Sequence, residues 1–236
     1  MSNLSIYKKG LKDGMPICLG YLAVSFAFGI AAAKIGLGVI SSVTMSLTNV
    51  TSAGQFASLA IIATSGTLLE LAVTQFILNL RYLLMSCALS QKLSPETSTL
   101  KRMAVAFGVT DEIFALSITA DGELSPFYSY GLMTVSIFGW CLGTFLGVVS
   151  GNILPASVTS ALEIAIYGMF IAIVVPVAKT DKNVLASVVL AIVLSCLLKY
   201  TSFFSGISSG FQIIIATVIS ASVCAILFPK EDDTDE

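Results

Sequence analysis

A chain of 236 residues that is 56% hydrophobic and 11% charged, with a mean hydropathy of +0.94, lies far below the roughly 25% charge of soluble domains and belongs in a bilayer. Its formal net charge of −2 comes without any basic face, which excludes nucleic-acid binding. The lack of histidine leaves any proton step to carboxylates or water. Five or more apolar runs approach the ~20 residues that cross the hydrocarbon core. The fold class expected is all-α: one polytopic membrane domain over residues 1–236.

The amino end, residues 1–14, is amphipathic and carries Lys8, Lys9 and Lys12. A first span is expected from Met15 to Lys34, with Pro16 in the first turn, where proline is tolerated. Lysines before an apolar run ending in Ala31-Ala32-Ala33 imitate a cleaved signal peptide, but the run is long enough to span and is expected to be kept. Residues 38–64 do not form one clean span, because Thr48 to Gln55 is polar and rich in small side chains. Ser52 and Gln55 have capping-box spacing, so a helix is expected to restart there. A broken or re-entrant segment is tolerated only where protein or water takes up the freed backbone groups.

A long helix is expected from Thr67 to Leu89. Then comes a polar loop, 91–102, with Ser94-Pro95 as a helix start and Lys92, Lys101 and Arg102 as basic marks. Residues 103–120 are weakly apolar and interrupted by Gly108-Val109-Thr110-Asp111-Glu112. Beyond an acidic loop at 121–125, spans are expected near 127–150, 160–178, 184–199 and 207–228, ahead of a polar tail at 229–236. If both interrupted segments re-enter, about six spans result; if both cross, eight. The positive-inside rule favours six, with the amino end, the 92–102 loop, the 179–182 loop and the carboxyl end all cytoplasmic.

Charge retained inside apolar helices costs several kcal/mol, about 2.5–3.5 at the bilayer centre, and marks candidate function. Glu70, Thr74 and Arg81 share one stripe of the 67–89 helix, and Asn79 points the other way. Glu70 also reads as the end of a Thr67-to-Glu70 capping box, and Arg81 could snorkel to an interface. Asp111 and Glu112 are adjacent carboxylates that cannot both be buried and ionised cheaply. They suit a proton or amine site, or the first turn of a helix capped by Thr110. An ion pair from Arg81 to Asp111 or Glu112 is the sharper expectation. A helix starting near Ser52 would aim its N–H groups at a substrate carboxylate, with Asn49, Ser52 and Gln55 as neutral ligands or as ordinary polar packing.

Gly139, Gly143, Gly147 and Gly151 form a ladder for close helix contact, within the chain or with a second subunit. Ser160 and Glu163 repeat the capping-box spacing. Cys18, Cys87, Cys141, Cys196 and Cys224 are scattered and odd in number, which argues against disulfides or a metal site. Hydrolase, nucleotide and dinucleotide motifs are absent, so neither enzyme activity nor a cofactor is expected.

The phrases GLKDGMP…GYLAVSFAFGIAAAKIGL, SAGQFASLAIIATSG, LAVTQFILNLRYLLMSCAL and AFGVTDEIFAL stand in the order and spacing of the AzlC family of branched-chain amino acid permeases, which this chain resembles over residues 10–120. The resemblance implies an exporter of branched-chain and related amino acids in the cell membrane, working with a small AzlD-type membrane partner. It carries the family's polar positions onto Gln55, Asn79, Arg81, Thr110, Asp111 and Glu112. Two departures bear on substrate choice or proton coupling. Relatives often have an aromatic-Ala-Gly pattern before the glutamine, where this chain reads Ser52-Ala53-Gly54, and many have histidine where it has Tyr82. The expected function is therefore export of small hydrophobic amino acids, driven by protons. Export of another solute and a non-transporting scaffold subunit are the alternatives.

Overall fold

The computed structural model describes residues 2–120, 122–151, 171, 174, 175, 178–204 and 206–228. Its elements are α1 (Asn3–Asp13), α2 (Met15–Lys34), α3 (Val39–Thr48), α4 (Ser52–Ala63), α5 (Leu68–Lys92), α6 (Thr99–Phe107), α7 (Asp111–Ile118), α8 (Pro126–Gly151), α9 (Lys182–Tyr200) and α10 (Ser209–Leu227), with a short 3₁₀ turn at Ser202–Phe204. Among the described residues the only β pairing is a single bridge between Leu93 and Leu124. Among the described residues, five helices are long and apolar enough to cross a membrane: α2, α5, α8, α9 and Gly210–Leu227 of α10. The chain is an all-α polytopic membrane protein. Most of the expected span at 160–178, with its Ser160–Glu163 cap, and the whole 229–236 tail lie outside the described residues.

Contacts gather into two compact units, Met1–Leu59 with Asn79–Ile166, and Ala60–Leu78 with Tyr167–Glu236. Glycine organises the first. A Cβ at Gly139 would meet Cys18 O at 2.5 Å, one at Gly143 would strike Leu22 O, and one at Gly147 would strike Phe26 O. The ladder is thus filled by α2 of the same chain. Lipid is as apolar as leucine, so helices in it associate through close packing rather than water exclusion. Bare backbone at every fourth residue is what lets α2 approach. The same contact runs on into α1, because Gly14 keeps helical dihedrals and Gly10 abuts Tyr128 O and Gly131. Lys9 lies over the Tyr128 ring, 5.8 Å from its centroid, an aromatic–cation pairing typical of a membrane interface.

Successive contacts of α2 climb in step with α8, so the two helices run parallel. The end of α5 sits beside the start of α8: Leu124 N–H donates to Lys92 O at 2.9 Å, and Lys92 Nζ donates to Ile118 O at the end of α7. Residues 93–124 therefore leave one end of the bundle and return to it. Arg102 closes this hairpin by donating to Thr97 O at 3.0 Å, Ser94 O at 2.8 Å and Ser90 O. The helices that flank the breaks are each too short to cross alone, since ten residues of α3 rise only about 15 Å against a core of about 30 Å.

Two expected helix starts shift. Ser94-Pro95 forms a turn, and α6 begins instead after Ser98, whose extended backbone (φ −61°, ψ 152°) marks the cap. Thr51, not Ser52, caps α4: its Oγ1 accepts Gly54 N–H at 3.3 Å.

Candidate functional site

Thr110 builds the second helix break. Its backbone is extended (φ −131°, ψ 172°), and its Oγ1 accepts Ile113 N–H at 3.3 Å. This places Asp111 and Glu112 in the first turn of α7, where the helix dipole favours negative charge. Consecutive helical residues diverge by about 100°, so the two carboxylates reach different partners. Asp111 Oδ2 pairs with Arg81 Nη1 at 2.6 Å, both side chains being a little under half exposed. Arg81 Nη2 also donates to Tyr82 Oη at 2.9 Å, and the guanidinium lies 4.7 Å from the Tyr82 ring centroid. The ion pair suggested by the sequence forms, with Asp111 as the acid.

Glu112 turns toward α2. The buried Tyr21 hydroxyl lies 2.5 Å from Glu112 Oε2 and 2.6 Å from Thr110 Oγ1. Tyr21 is held edge-on against Trp140 of α8, with ring centroids 5.1 Å apart and an interplanar angle of 75°. Trp140 Nε1 donates to Gln55 Oε1 at 2.8 Å, and Gln55 Nε2 donates to Ser46 Oγ at 2.9 Å. Ser46 Oγ in turn lies 2.7 Å from Thr144 Oγ1. Gln55, Ser46 and Thr144 are fully buried. With Thr51 as the cap of α4, Gln55 stitches α3 and α4 to α8 across the first break.

The other break residues sit close by in the chain. Asn49 ends α3, its N–H donating to Met45 O at 2.9 Å. Ser52 opens α4, partly buried. The Thr51 side chain accepts from or donates to the Tyr82 hydroxyl, which joins this break to Arg81. Asn79 lies on α5, partly buried, two residues before Arg81. A cavity of about 420 Å³ lined by Lys9, Glu123 and Tyr128 contains none of the expected site residues.

Glu70 is used differently from the stripe it shares with Arg81. Its N–H donates to Thr67 Oγ1 at 3.1 Å, so half of the expected capping box forms. Its buried carboxylate does not close the box. Oε1 instead accepts from Ser208 Oγ at 2.5 Å and Gly210 N–H at 2.9 Å, at the amino end of α10. Within the second unit Glu70 is an anion bound at a helix start.

Sequence reasoning passed over Tyr21, Ser46, Thr51, Trp140 and Thr144. Trp140 carried one usable signal, as the single tryptophan of the chain with an N–H that needs a partner when buried. Ser46 and Thr144 gave none, since hydroxyl residues are common in membrane helices.

Comparison with known proteins bears on the same region. The family described as AzlC protein matches residues 16–154, which takes in both breaks, the Arg81–Asp111 pair and α8. An uncharacterized membrane protein of Archaeoglobus fulgidus is 34% identical over 179 residues, covering 75% of this chain and 78% of that one. The inner membrane protein YgaZ of Escherichia coli is 30% identical over 150 residues, covering 62% of this chain and 61% of that one. No solved structure matches. With the family match spanning more than half of its length, the chain belongs to the AzlC family of membrane proteins.

Proposed function

We propose that this protein exports branched-chain and related small hydrophobic amino acids across the cell membrane, coupled to protons and working with a small AzlD-like membrane subunit. The observation that carries the reading is the 2.6 Å Arg81–Asp111 ion pair at a helix break. An amino acid is itself one carboxylate and one ammonium. It can take the place of the internal pair, its carboxylate on the Arg81 fork and its ammonium on Asp111, without adding net charge to an apolar region. The α4 amino end beginning at Ser52, joined to Arg81 through Thr51 and Tyr82, lends its positive dipole to the same carboxylate. Asn49, which ends α3 at the same break, supplies a neutral polar group, while Gln55 holds the break in place through Trp140 and Ser46. In this reading the bundle end that holds α1, the Lys92–Arg102 hairpin and the start of α8 faces the cytoplasm, as its lysines and arginines favour.

The test is the intracellular leucine, valine and methionine pool of dipeptide-fed cells lacking their own exporters, with the chain and its small partner expressed together. Pools should fall on expression. Arg81→Asp and Asp111→Arg should each abolish the fall, and the double exchange should restore part of it. Unchanged pools for these amino acids, alongside the fall of another metabolite, would move the reading to a different solute. Flux through liposomes holding the chain with and without the partner separates a transporting chain from a scaffold.

A further inference from the structure

We propose that Glu112 is the group that takes up and releases the coupling proton and that the Tyr21 hydroxyl is its reversible hydrogen-bond partner. This rests on the transport reading only for what the proton is used to do.

The two adjacent acids have chemically different neighbours. Asp111 faces a guanidinium at 2.6 Å, and a proton on it would leave that cation without its counter-charge. Glu112 faces a hydroxyl at 2.5 Å. A hydroxyl both donates and accepts, whereas lysine and arginine only donate, so it can serve either form of the acid. When Glu112 is ionised, Tyr21 donates to Oε2 and the Thr110 hydroxyl donates to the tyrosine oxygen. When Glu112 is protonated, its O–H donates to the tyrosine oxygen and Tyr21 turns its own proton to Thr110 Oγ1, 2.6 Å away. One proton is gained, the tyrosine keeps its own, and two hydrogen bonds exist in each state.

The surroundings hold this arrangement in register. Tyr21 is 8% exposed and braced by Trp140. Among the described residues, charged and titratable groups that act on Glu112 include Asp111 beside it, Tyr82 from α5 and Tyr21 from α2, with Arg81 acting on Asp111 and Tyr82; the α8 neighbour of Tyr21, Trp140, is neutral. Thr110 is also the cap of α7. Reversal of the tyrosine bond therefore changes what that cap accepts, at the same helix start that presents Asp111 to Arg81. Proton state and ion pair meet on one turn of backbone.

Infrared difference spectra of the purified full chain in liposomes, titrated between about pH 3 and pH 9 so that an ordinary carboxyl value lies inside the range, test the assignment. A protonated-carboxyl band should appear on acidification, vanish in Glu112→Gln, persist in Asp111→Asn and shift in Tyr21→Phe. A band that survives Glu112→Gln, or no band at all, overturns the proposal; a band unmoved by Tyr21→Phe overturns the tyrosine's part. Leucine flux into the same liposomes gives the second measurement. Its stimulation by an imposed pH gradient should be lost in Glu112→Gln and reduced in Tyr21→Phe, and full stimulation in Glu112→Gln also overturns the proposal. If the wild-type chain with its small partner moves no leucine while the band behaves as expected, the amino acid reading fails and the proton assignment stands.

Discussion

At the scale of single residues, the first break is held by a buried cluster whose members cannot be replaced singly without orphaning another. Gln55→Leu removes the acceptor of Trp140 Nε1 and a donor to Ser46 Oγ. A buried polar group left unmet costs about 1–3 kcal/mol, so the variant should unfold at lower temperature in detergent. Trp140 is the single tryptophan, and its emission should shift to the blue once its N–H is unbonded. Unchanged emission would mean that the indole and the amide do not touch. Glu70 allows a parallel test in the second unit. Glu70→Gln leaves an acceptor for Gly210 N–H but removes the negative charge from the start of α10. It should cost roughly 0.3–2 kcal/mol of dipole stabilisation, read as a lower unfolding midpoint in detergent, and an unchanged midpoint would argue against the clamp.

At the scale of helices, α2 and α8 are fitted by their backbones. Gly143→Ala would push a methyl against Leu22 O and Ser25 Oγ, and overpacking of this kind costs about 1–3 kcal/mol. Gly20 lies on the same α2 with nothing within 4 Å of the methyl it would gain. Gly20→Ala should therefore leave stability unchanged or raise it by up to about 1 kcal/mol through helix propensity. Thermal melts of the two variants separate a contact effect from a propensity effect. If both lower the midpoint equally, the ladder is not what joins these helices.

At the scale of the whole molecule, the return of residues 93–124 to the bundle end they leave predicts a labelling pattern. In a chain stripped of its five native cysteines, Lys9→Cys, Glu96→Cys and Ser125→Cys should react with an impermeant thiol reagent from one side of the membrane, and Gly38→Cys from the other. Opposite sidedness for Glu96→Cys and Ser125→Cys would exclude the return of residues 93–124. Much of this organisation was legible in the residues themselves. Apolar run length defined α2 from Met15 to Lys34, and clustered polar and small residues marked both breaks, because lipid leaves an unpaired backbone so few solutions. Arg81, Asp111 and Glu112 stood out for the same reason, as charges that hydrocarbon does not tolerate without use. Periodicity carries no information about which helix meets which. Only packing in three dimensions gave Asp111 to Arg81 and Glu112 to Tyr21, drew Glu70 to the start of α10, filled the glycine ladder with α2 and moved the α4 cap from Ser52 to Thr51. Composition reports what a segment must hide from lipid; its partner is settled by shape and by hydrogen bonds between residues as much as 140 positions apart.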